Sequence, residues 1–178
     1  MKKIGQIWIE TVLYTLIGLA LIGVSLAIIT PKINSERDKI VVEQTIDSLG
    51  ILDGKINEVI EKGAGNKRII EKFVMKKGEM FINSTGDNIV FVLSDLGKPY
   101  SEPGEVINVG RIEIVSEEAK KGSTVYLTLR YSNVNLTYPG DDFKKFSAAA
   151  TPYEFTIENL GAGTGDLDVI KIEETSGR

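Results

Sequence analysis

The chain contains no cysteine and no histidine. Without cysteine no disulfide can cross-link the fold, and no thiolate is available as a nucleophile or a metal ligand. Without histidine the commonest metal ligand and general base is missing, which excludes the Ser-His-Asp triad and every zinc site that uses histidine. Any catalysis would have to use carboxylates, lysine or tyrosine. We therefore expect a protein that is not an enzyme and that has no catalytic residue, metal or cofactor.

Positive charge is scarce as well, since 21 Lys and Arg residues stand against 25 Asp and Glu residues and give a formal net charge of −4. Residues 1–29 carry two lysines and one glutamate, so the rest of the chain carries −5. Nucleic acids and anionic lipid surfaces attract basic proteins because their phosphates are negative. The acidic remainder therefore argues against a nucleic acid as partner.

One long apolar run is present, from Ile7 to Ile29, in which Glu10 is the single charged residue. A helix of this length spans about 34 Å at 1.5 Å per residue, and the hydrocarbon core of a bilayer is about 30 Å thick. The run therefore predicts a helix that inserts into a membrane. Thr30-Pro31 follows it, without the small-residue cleavage site of a secretory signal peptide.

The orientation of this helix follows from the charges at its ends. Lys2 and Lys3 precede the apolar run and favour a cytoplasmic N-terminus. Lys32, Arg37 and Lys39 lie beyond the other end and argue the opposite way. The N-terminal segment is only a few residues long, whereas a whole domain follows the helix. We therefore expect a single-pass protein with its N-terminus in the cytoplasm and its C-terminal domain outside the cell.

The leader Met1-Lys2-Lys3-Ile4-Gly5-Gln6, followed by Glu10, resembles the processing site of type IV pilin precursors, and most closely the archaeal class III signal peptide. Trp8 stands where the archaeal pattern Gln-x-Ser-x-Glu has serine. The resemblance implies that a membrane-bound prepilin peptidase cleaves between Gly5 and Gln6 and that the apolar helix stays on the mature protein. It also implies a surface filament as product, with copies of this chain or related pilins, a membrane assembly platform and the lipid bilayer as partners.

The resemblance gives Glu10 a role in assembly. Cleavage leaves a positively charged α-amino group on Gln6 in apolar surroundings, and an unpaired buried charge is costly. The carboxylate of a neighbouring subunit would pair with this group. The alternative is that Glu10 lies one turn from the start of the helix and extends to the lipid headgroups.

Small residues lie along the apolar helix at spacings that bring them onto shared faces. Thr11, Thr15 and Gly18 share one face, and Ala20, Gly23 and Ala27 share another. Small side chains allow helices to approach closely in lipid, which favours Gly18, Gly23 and Ala27 as helix-packing positions. The alternative is that glycine and threonine are simply frequent in membrane helices.

An amphipathic pattern follows Pro31, which we expect to kink the helix rather than to end it. Apolar residues recur every three to four positions, namely Ile33, Ile40, Leu49, Leu52, Ile56 and Val59 or Ile60. We expect the opposite face to carry Glu36, Asp38, Asp47, Asp53 and Glu58 in solvent. Gly63-Ala64-Gly65 predicts the end of the helix. The apolar stripe is expected to pack on the chain's own β domain, and a partner coiled coil is the alternative.

From residue 65 onward the pattern changes to the period-2 alternation of strands. About six strands are expected, including Asn88–Leu93, Arg111–Val115, the inward-facing set Val125, Leu127, Leu129 and Tyr131, a run from Tyr153, and Leu167–Glu173. Residues 68–75 fit either a strand or a short helix. The predicted fold class is therefore α+β: a long N-terminal helix, half transmembrane and half amphipathic, followed by an antiparallel β-sheet or sandwich domain. The predicted parts are the leader 1–5, the apolar helix 6–30, the amphipathic helix 31–64 and the β domain 65–178.

Short motifs in the β domain are weak. Asn83-Ser84-Thr85 and Asn135-Leu136-Thr137 match the N-glycosylation pattern. The glycine-rich stretch 161–166 lacks the spacing and the lysine of a phosphate-binding loop, so we expect a hairpin loop. The acidic pairs 141–142 and 166/168 lack the spacing of an EF-hand, so we expect solvated turn carboxylates.

Two functions remain after these exclusions. The first is a type IV pilin-like structural subunit that is inserted in the membrane and then assembled into a surface filament. The second is a β-domain binding module held permanently at the membrane, in contact with a surface layer or acting as a stator. Within the first function, the sequence does not separate a major filament subunit from a minor or pseudopilin subunit of a secretion system. The sequence does not separate adhesion, motility, secretion and DNA uptake.

Overall fold

The computed structural model describes residues 3–120, 122–163 and 165–175, with side chains from Trp8 onward. One helix, α1, runs from Lys3 to Lys62 and is followed by strands. The chain divides into two compact units, Met1–Arg37 and Asp38–Arg178. The first unit is helical, and the second contains the rest of α1 and all the described strands. The α+β fold class expected from the sequence is confirmed.

The strands of the second unit are numbered in chain order, and ten of them lie in the described residues. They are β1 (Lys67–Phe73), β2 (Glu79–Asn83), β3 (Asn88–Leu96), β4 (Val106–Val109), β5 (Ile112–Glu118), β6 (Ser123–Arg130), β7 (Val134–Thr137), β8 (Phe143–Ser147), β9 (Tyr153–Ala162) and β10 (Asp168–Glu174).

These strands form two sheets. The four-stranded sheet has the order β1-β9-β10-β7, and the six-stranded sheet has the order β4-β5-β6-β3-β2-β8. All pairs in the six-stranded sheet are antiparallel. The domain is antiparallel apart from one pair of strands, β7 and β10, which are parallel, with Val134 opposite Asp168. A parallel pair requires a long connection, which here contains β8 and β9.

The strand count of about six was too low. Residues 68–75 were undecided between strand and helix, and most of them form β1. The strands missed from the sequence are β2, β4, β7 and β8, each four or five residues long. Such short segments hold too few residues to show a period. In β4 all four residues are exposed, so this strand has no alternation of buried and exposed side chains to detect.

Where the alternation is long, the sequence located the strands and their inward faces. Val125, Leu127 and Leu129 in β6 are fully buried, and Tyr131 just beyond the strand is 3% exposed. The intervening residues of β6 are half-buried or exposed. Period-2 alternation of this kind predicts a strand with one buried face, and the structure confirms this for β6.

The second half of α1 packs its apolar stripe into the core of the domain. Val42, Leu49, Leu52, Ile56 and Val59 are at most 1% exposed and belong to one hydrophobic cluster with residues of both sheets. The spacings of three, four and seven residues keep these side chains on one face of the helix.

The predicted start of this stripe is wrong. Ile33 and Ile40 are 46% and 50% exposed. Ile40 precedes Val42 by two residues, which is about 200° around a helix with 3.6 residues per turn. The buried stripe of the described helix therefore begins at Val42, and Thr45, 8% exposed, continues it.

The helix ends where the glycines predicted its end. Gly63 and Gly65 have φ angles of 77° and 82°, which glycine adopts without the steric cost that a side chain would bring. The backbone N–H of Gly65 donates to the carbonyl of Asn159 over 2.8 Å, and the N–H of Asn159 donates to the carbonyl of Asn66 over 2.9 Å. These hydrogen bonds join the chain just after α1 to β9.

We expect Leu52→Ala to destabilise the second unit by about 2–5 kcal/mol, because it removes a fully buried side chain and leaves a cavity. Leu160→Ala is the matched control, since Leu160 is 52% exposed. The measurement is chemical denaturation of the detergent-solubilised full chain, followed by near-UV circular dichroism. Equal denaturation midpoints for the two variants would contradict the packing of α1 in the core.

Candidate anchoring and assembly surfaces

The apolar first half of α1 exposes its side chains around the whole helix. From residue 8 to residue 29 every residue except Gly18 is exposed, and large side chains such as Trp8, Tyr14 and Ile28 expose 73%, 71% and 68% of their surface. The helix is long and apolar enough here to cross a membrane. Such a surface is unstable in water, because exposed apolar area costs about 25 cal/mol per Å².

Two threonine hydroxyls, one in this segment and one just after it, are hydrogen-bonded within the helix. The Oγ1 of Thr15 donates to the carbonyl of Thr11 over 2.8 Å, and the Oγ1 of Thr30 donates to the carbonyl of Leu26 over 2.7 Å. In hydrocarbon no water is available for these groups, so internal partners are required. The two bonds make the segment compatible with an apolar environment.

The positions predicted for helix packing lie open. A Cβ atom built on Gly18 or Gly23 would meet no atom within 4 Å, and Ala27 is exposed. Another helix is therefore free to approach the backbone at these positions. Pro31 lies inside α1 and does not end it, although it has no N–H to donate to the carbonyl four residues earlier.

The predicted processing site lies at the start of α1. Gly5 and Gln6 lie in α1, before the residues whose side chains the structure describes. Glu10 is exposed. Gln6 and Glu10 are four positions apart along the chain, which is about one turn of a helix.

In the second unit, the carboxylate of Asp53 ties α1 to the six-stranded sheet. Its Oδ1 accepts a hydrogen bond from the hydroxyl of Tyr131 over 2.8 Å and one from Nη1 of Arg111 over 3.2 Å. The guanidinium of Arg111 also donates to Oδ1 of Asn57 over 2.8 Å and lies 5.0 Å from the centre of the Tyr131 ring. The expectation that Asp53 is solvated is therefore wrong, because its side chain is only 14% exposed.

Asp38, the first residue of this unit, is a second carboxylate of α1 that makes a similar contact. The Oδ2 of Asp38 accepts a hydrogen bond from the backbone N–H of Gly97 over 2.7 Å, and its Oδ1 lies 3.6 Å from Nζ of Lys77. The same lysine donates to the carbonyl of Asp95 over 2.8 Å. Asp38 was also expected in solvent, and it instead holds the loop after β3 against the helix.

Near the end of α1, Glu58 pairs with two cations. Its carboxylate lies 2.8 Å from Nζ of Lys55 and 2.7 Å from Nε of Arg68 in β1. The hydrogen bonds from Lys55 and from Arg68 lower the pKa of Glu58. Exposed ion pairs of this kind contribute little to stability, so this contact mainly orients β1 against the helix.

Asn159 is a fully buried polar residue that the sequence did not single out. Its Nδ2 donates to the carbonyl of Val59 over 3.2 Å and to Oδ2 of Asp168 over 2.9 Å, and its Oδ1 accepts from the N–H of Gly161 over 2.8 Å. A buried amide needs its partners, because leaving them unmade costs free energy. Asn159 therefore links α1, β9 and β10 at one point.

The two possible glycosylation sites lie in different settings. Asn83 ends β2, and its Oδ1 accepts hydrogen bonds from the N–H groups of Thr85 and Gly86, both over 3.1 Å. Asn135 lies in β7, is half-buried and faces Val169 of β10 in the parallel register. Asn83 is thus at a turn, whereas Asn135 lies in an edge strand of the four-stranded sheet.

The glycine-rich stretch connects the antiparallel pair β9 and β10, as a hairpin loop does.

Two of the predicted turn carboxylates contact other side chains of the domain. Asp141 lies 3.1 Å from Nζ of Lys144. Asp168 is hydrogen-bonded to Asn159, so the expectation of a solvated carboxylate is wrong there. Among the described residues no three carboxylates are grouped so as to hold a metal ion.

Comparisons of the chain with protein-family models, with curated proteins and with solved structures found no match.

Tyr131→Phe tests the contact between α1 and the sheet. Removing the hydroxyl deletes its hydrogen bond to Asp53, and we expect a loss of about 1 kcal/mol in the free energy of unfolding. Tyr126→Phe is the matched control, because Tyr126 alternates with the buried residues of β6 and is half-buried on the other face of the sheet. An equally large loss of unfolding free energy in Tyr126→Phe would contradict the role given to the hydrogen bond between Tyr131 and Asp53. The measurement is the chemical denaturation described above.

Tyr131 also predicts that the free energy of unfolding falls at alkaline pH. Burial and the negative charge of Asp53 raise the pKa of Tyr131 well above its usual value of 10. The folded state therefore holds the hydroxyl proton of Tyr131 more tightly than the unfolded state does. The resulting contribution to the free energy of unfolding is complete below about pH 10 and is lost as the pH rises further. Above about pH 10 the wild type should lose up to about 1.4 kcal/mol per pH unit more than Tyr131→Phe. Parallel pH profiles of the two proteins would contradict this prediction.

Proposed function

We propose that this chain is a type IV pilin-like structural subunit, inserted in a membrane by the first half of α1 and then assembled into a surface filament through that helix. The observation that carries the proposal is an apolar helical surface exposed on all sides, which contains the single carboxylate Glu10 four residues after Gly5-Gln6. The proposed role is structural, and no catalytic residue, metal or cofactor is assigned.

The exposed apolar surface supports this proposal through its energy. Burying one large aliphatic or aromatic side chain is worth about 1.5–3 kcal/mol, and more than ten such side chains of this helix are about half exposed or more. A surface of this kind is stable in lipid or against other apolar helices. When the helix leaves lipid and enters a bundle of identical helices, its apolar side chains stay out of water. The open faces at Gly18 and Gly23 allow a neighbouring helix to approach closely.

Glu10 supplies the selectivity in this proposal. In lipid, an unpaired carboxylate at this position is costly. After cleavage between Gly5 and Gln6, the new α-amino group of one subunit provides a partner for Glu10 of another. Pairing of two otherwise uncompensated charges favours subunits that are correctly placed along the bundle. The basic leader residues Lys2 and Lys3 support cleavage on the cytoplasmic side.

The second unit would then form the outer surface of the filament. The proposed topology puts it outside the cell, on the side where Asn83 and Asn135 would meet a glycosylation machinery. Its net negative charge and its lack of cysteine and histidine give no reason to propose binding to a nucleic acid or catalysis. The proposed partners are further copies of the chain, a prepilin peptidase, the assembly platform and the bilayer.

N-terminal sequencing of membrane fractions and of sheared surface material tests the proposal. We expect Gln6 to be the first residue of the chain in sheared filaments. A chain that keeps Met1 and stays in the membrane fraction would overturn the proposal and would identify a permanently anchored domain. A soluble chain trimmed beyond Pro31 would overturn both.

Glu10→Ala tests the assembly role. A buried charge without its partner costs about 3–5 kcal/mol, which corresponds to at least a roughly 100-fold loss of assembled protein. Glu36→Ala is the control, since it removes an exposed carboxylate beyond the apolar segment. The measurement is the ratio of sheared to membrane-bound chain, with N-terminal sequencing to show that cleavage still occurs. Normal assembly of Glu10→Ala would contradict the role given to this residue.

A further inference from the structure

Strand β4 is an unprotected edge of the six-stranded sheet. In the described part of the chain it pairs with β5 alone, and its outer backbone groups face away from the sheet. Val106, Ile107 and Val109 are 58%, 36% and 41% exposed. Edge strands of soluble proteins usually carry lysine, proline or a bulge that prevents pairing with another chain. β4 has a regular register with β5 and contains no charged residue and no proline.

The opposite edge of the same sheet is β8, which also exposes apolar surface. Phe143 is 59% exposed and stacks on Phe81 with ring centres 5.2 Å apart. β8 is basic, because Lys144 and Lys145 follow Phe143. These lysines contact Asp141 and Glu79 within the chain, yet their side chains remain 34% and 49% exposed.

Both edges of the six-stranded sheet carry charged residues in or beside the strand. Glu102 and Glu105 are exposed just before β4 and Arg111 just after it, whereas β8 carries the two lysines and follows the exposed Asp141 and Asp142. Two antiparallel β8 edges would bring the lysines of both copies close together, whereas two antiparallel β4 edges would keep their acidic flanks at opposite ends of the pair. Contact between β4 and β8 brings opposite charges together, and electrostatic complementarity of this kind selects partner and register.

The strand directions also allow this contact. All neighbours in the six-stranded sheet are antiparallel, so β4 and β8 run in opposite directions. A second copy in the same orientation, placed beside the first, therefore continues the antiparallel order. The faces match as well, because Ile107 lies opposite buried Ile114 and Phe146 lies opposite buried Met80. The buried face of one sheet continues as the buried face of the next.

We infer that β4 of one copy pairs with β8 of a second copy, so that the six-stranded sheet extends from subunit to subunit. The contact uses two different surfaces, and such heterologous contacts continue from copy to copy unless they close into a ring. It needs two folded copies of the second unit, and it does not need cleavage after Gly5. Its failure and the failure of the proposed function are therefore separate results.

Cross-linking of single-cysteine chains tests this contact, since the natural chain has no cysteine. Full-length Asn108→Cys and Asp142→Cys, with tags of different size, are mixed in detergent with micelles in excess and treated with a short flexible bis-maleimide. We expect the mixed dimer in several-fold excess over either dimer of one variant. A Glu71→Cys chain on β1, mixed with Asn108→Cys, measures random collision. A dominant Asn108→Cys homodimer would show a two-fold β4 contact instead, and collision-level yields would show no edge contact; either result overturns the inference.

Two substitutions in the Asn108→Cys chain give matched tests of the same surface. Ile107→Lys places a charge in the middle of β4, and Ile69→Lys makes the same change on β1 at a residue that is 52% exposed. Glu105→Lys removes the acidic flank, and Glu71→Lys reverses an exposed charge on β1, in the four-stranded sheet. We expect only Ile107→Lys and Glu105→Lys to reduce the mixed dimer to the collision level, with unchanged near-UV circular dichroism in all four. An unchanged yield in Ile107→Lys would overturn the inference.

Discussion

Burial of one stripe of α1 is the interaction on which the second unit depends. Leu49, Leu52 and Ile56 are fully inaccessible and lie in one cluster with core residues of both sheets, including Phe155 and Leu127. The chain has no disulfide to restrict its unfolded state, so apolar burial must supply most of the stability. Loss of the helix would expose the inner surfaces that the two sheets share with it.

Polar contacts around this stripe determine how the helix lies in the domain. Asp38 and Asp53 each accept hydrogen bonds from loops or strands distant in sequence, and Asn159 joins the end of the helix to β9 and β10. Partly exposed pairs of this type add little free energy. Their geometry is specific, however, and it fixes the rotation and the position of a helix that apolar contacts alone would hold less uniquely.

The two halves of α1 meet two different environments. Residues 8–29 expose apolar side chains on every face, whereas the second half buries one face and leaves charged residues such as Glu43 and Asp47 in solvent. A helix that is apolar all round is stable only in lipid or among other helices, and one with a single apolar stripe belongs on a protein core. This difference supports the proposal that the first half is the part of the chain used for insertion and assembly.

The sequence by itself determined the features that repeat locally: the uniformly apolar run from Ile7 to Ile29, the end of α1 at its glycines, and the long alternating strands such as β6. Only the tertiary structure decided the rest: the phase of the helical stripe, the parallel pairing of β7 with β10, the short edge strands, and the partners of Asp53. The reason is distance along the chain. Tyr131 lies 78 positions from Asp53, and no local pattern records which distant residues a fold brings together.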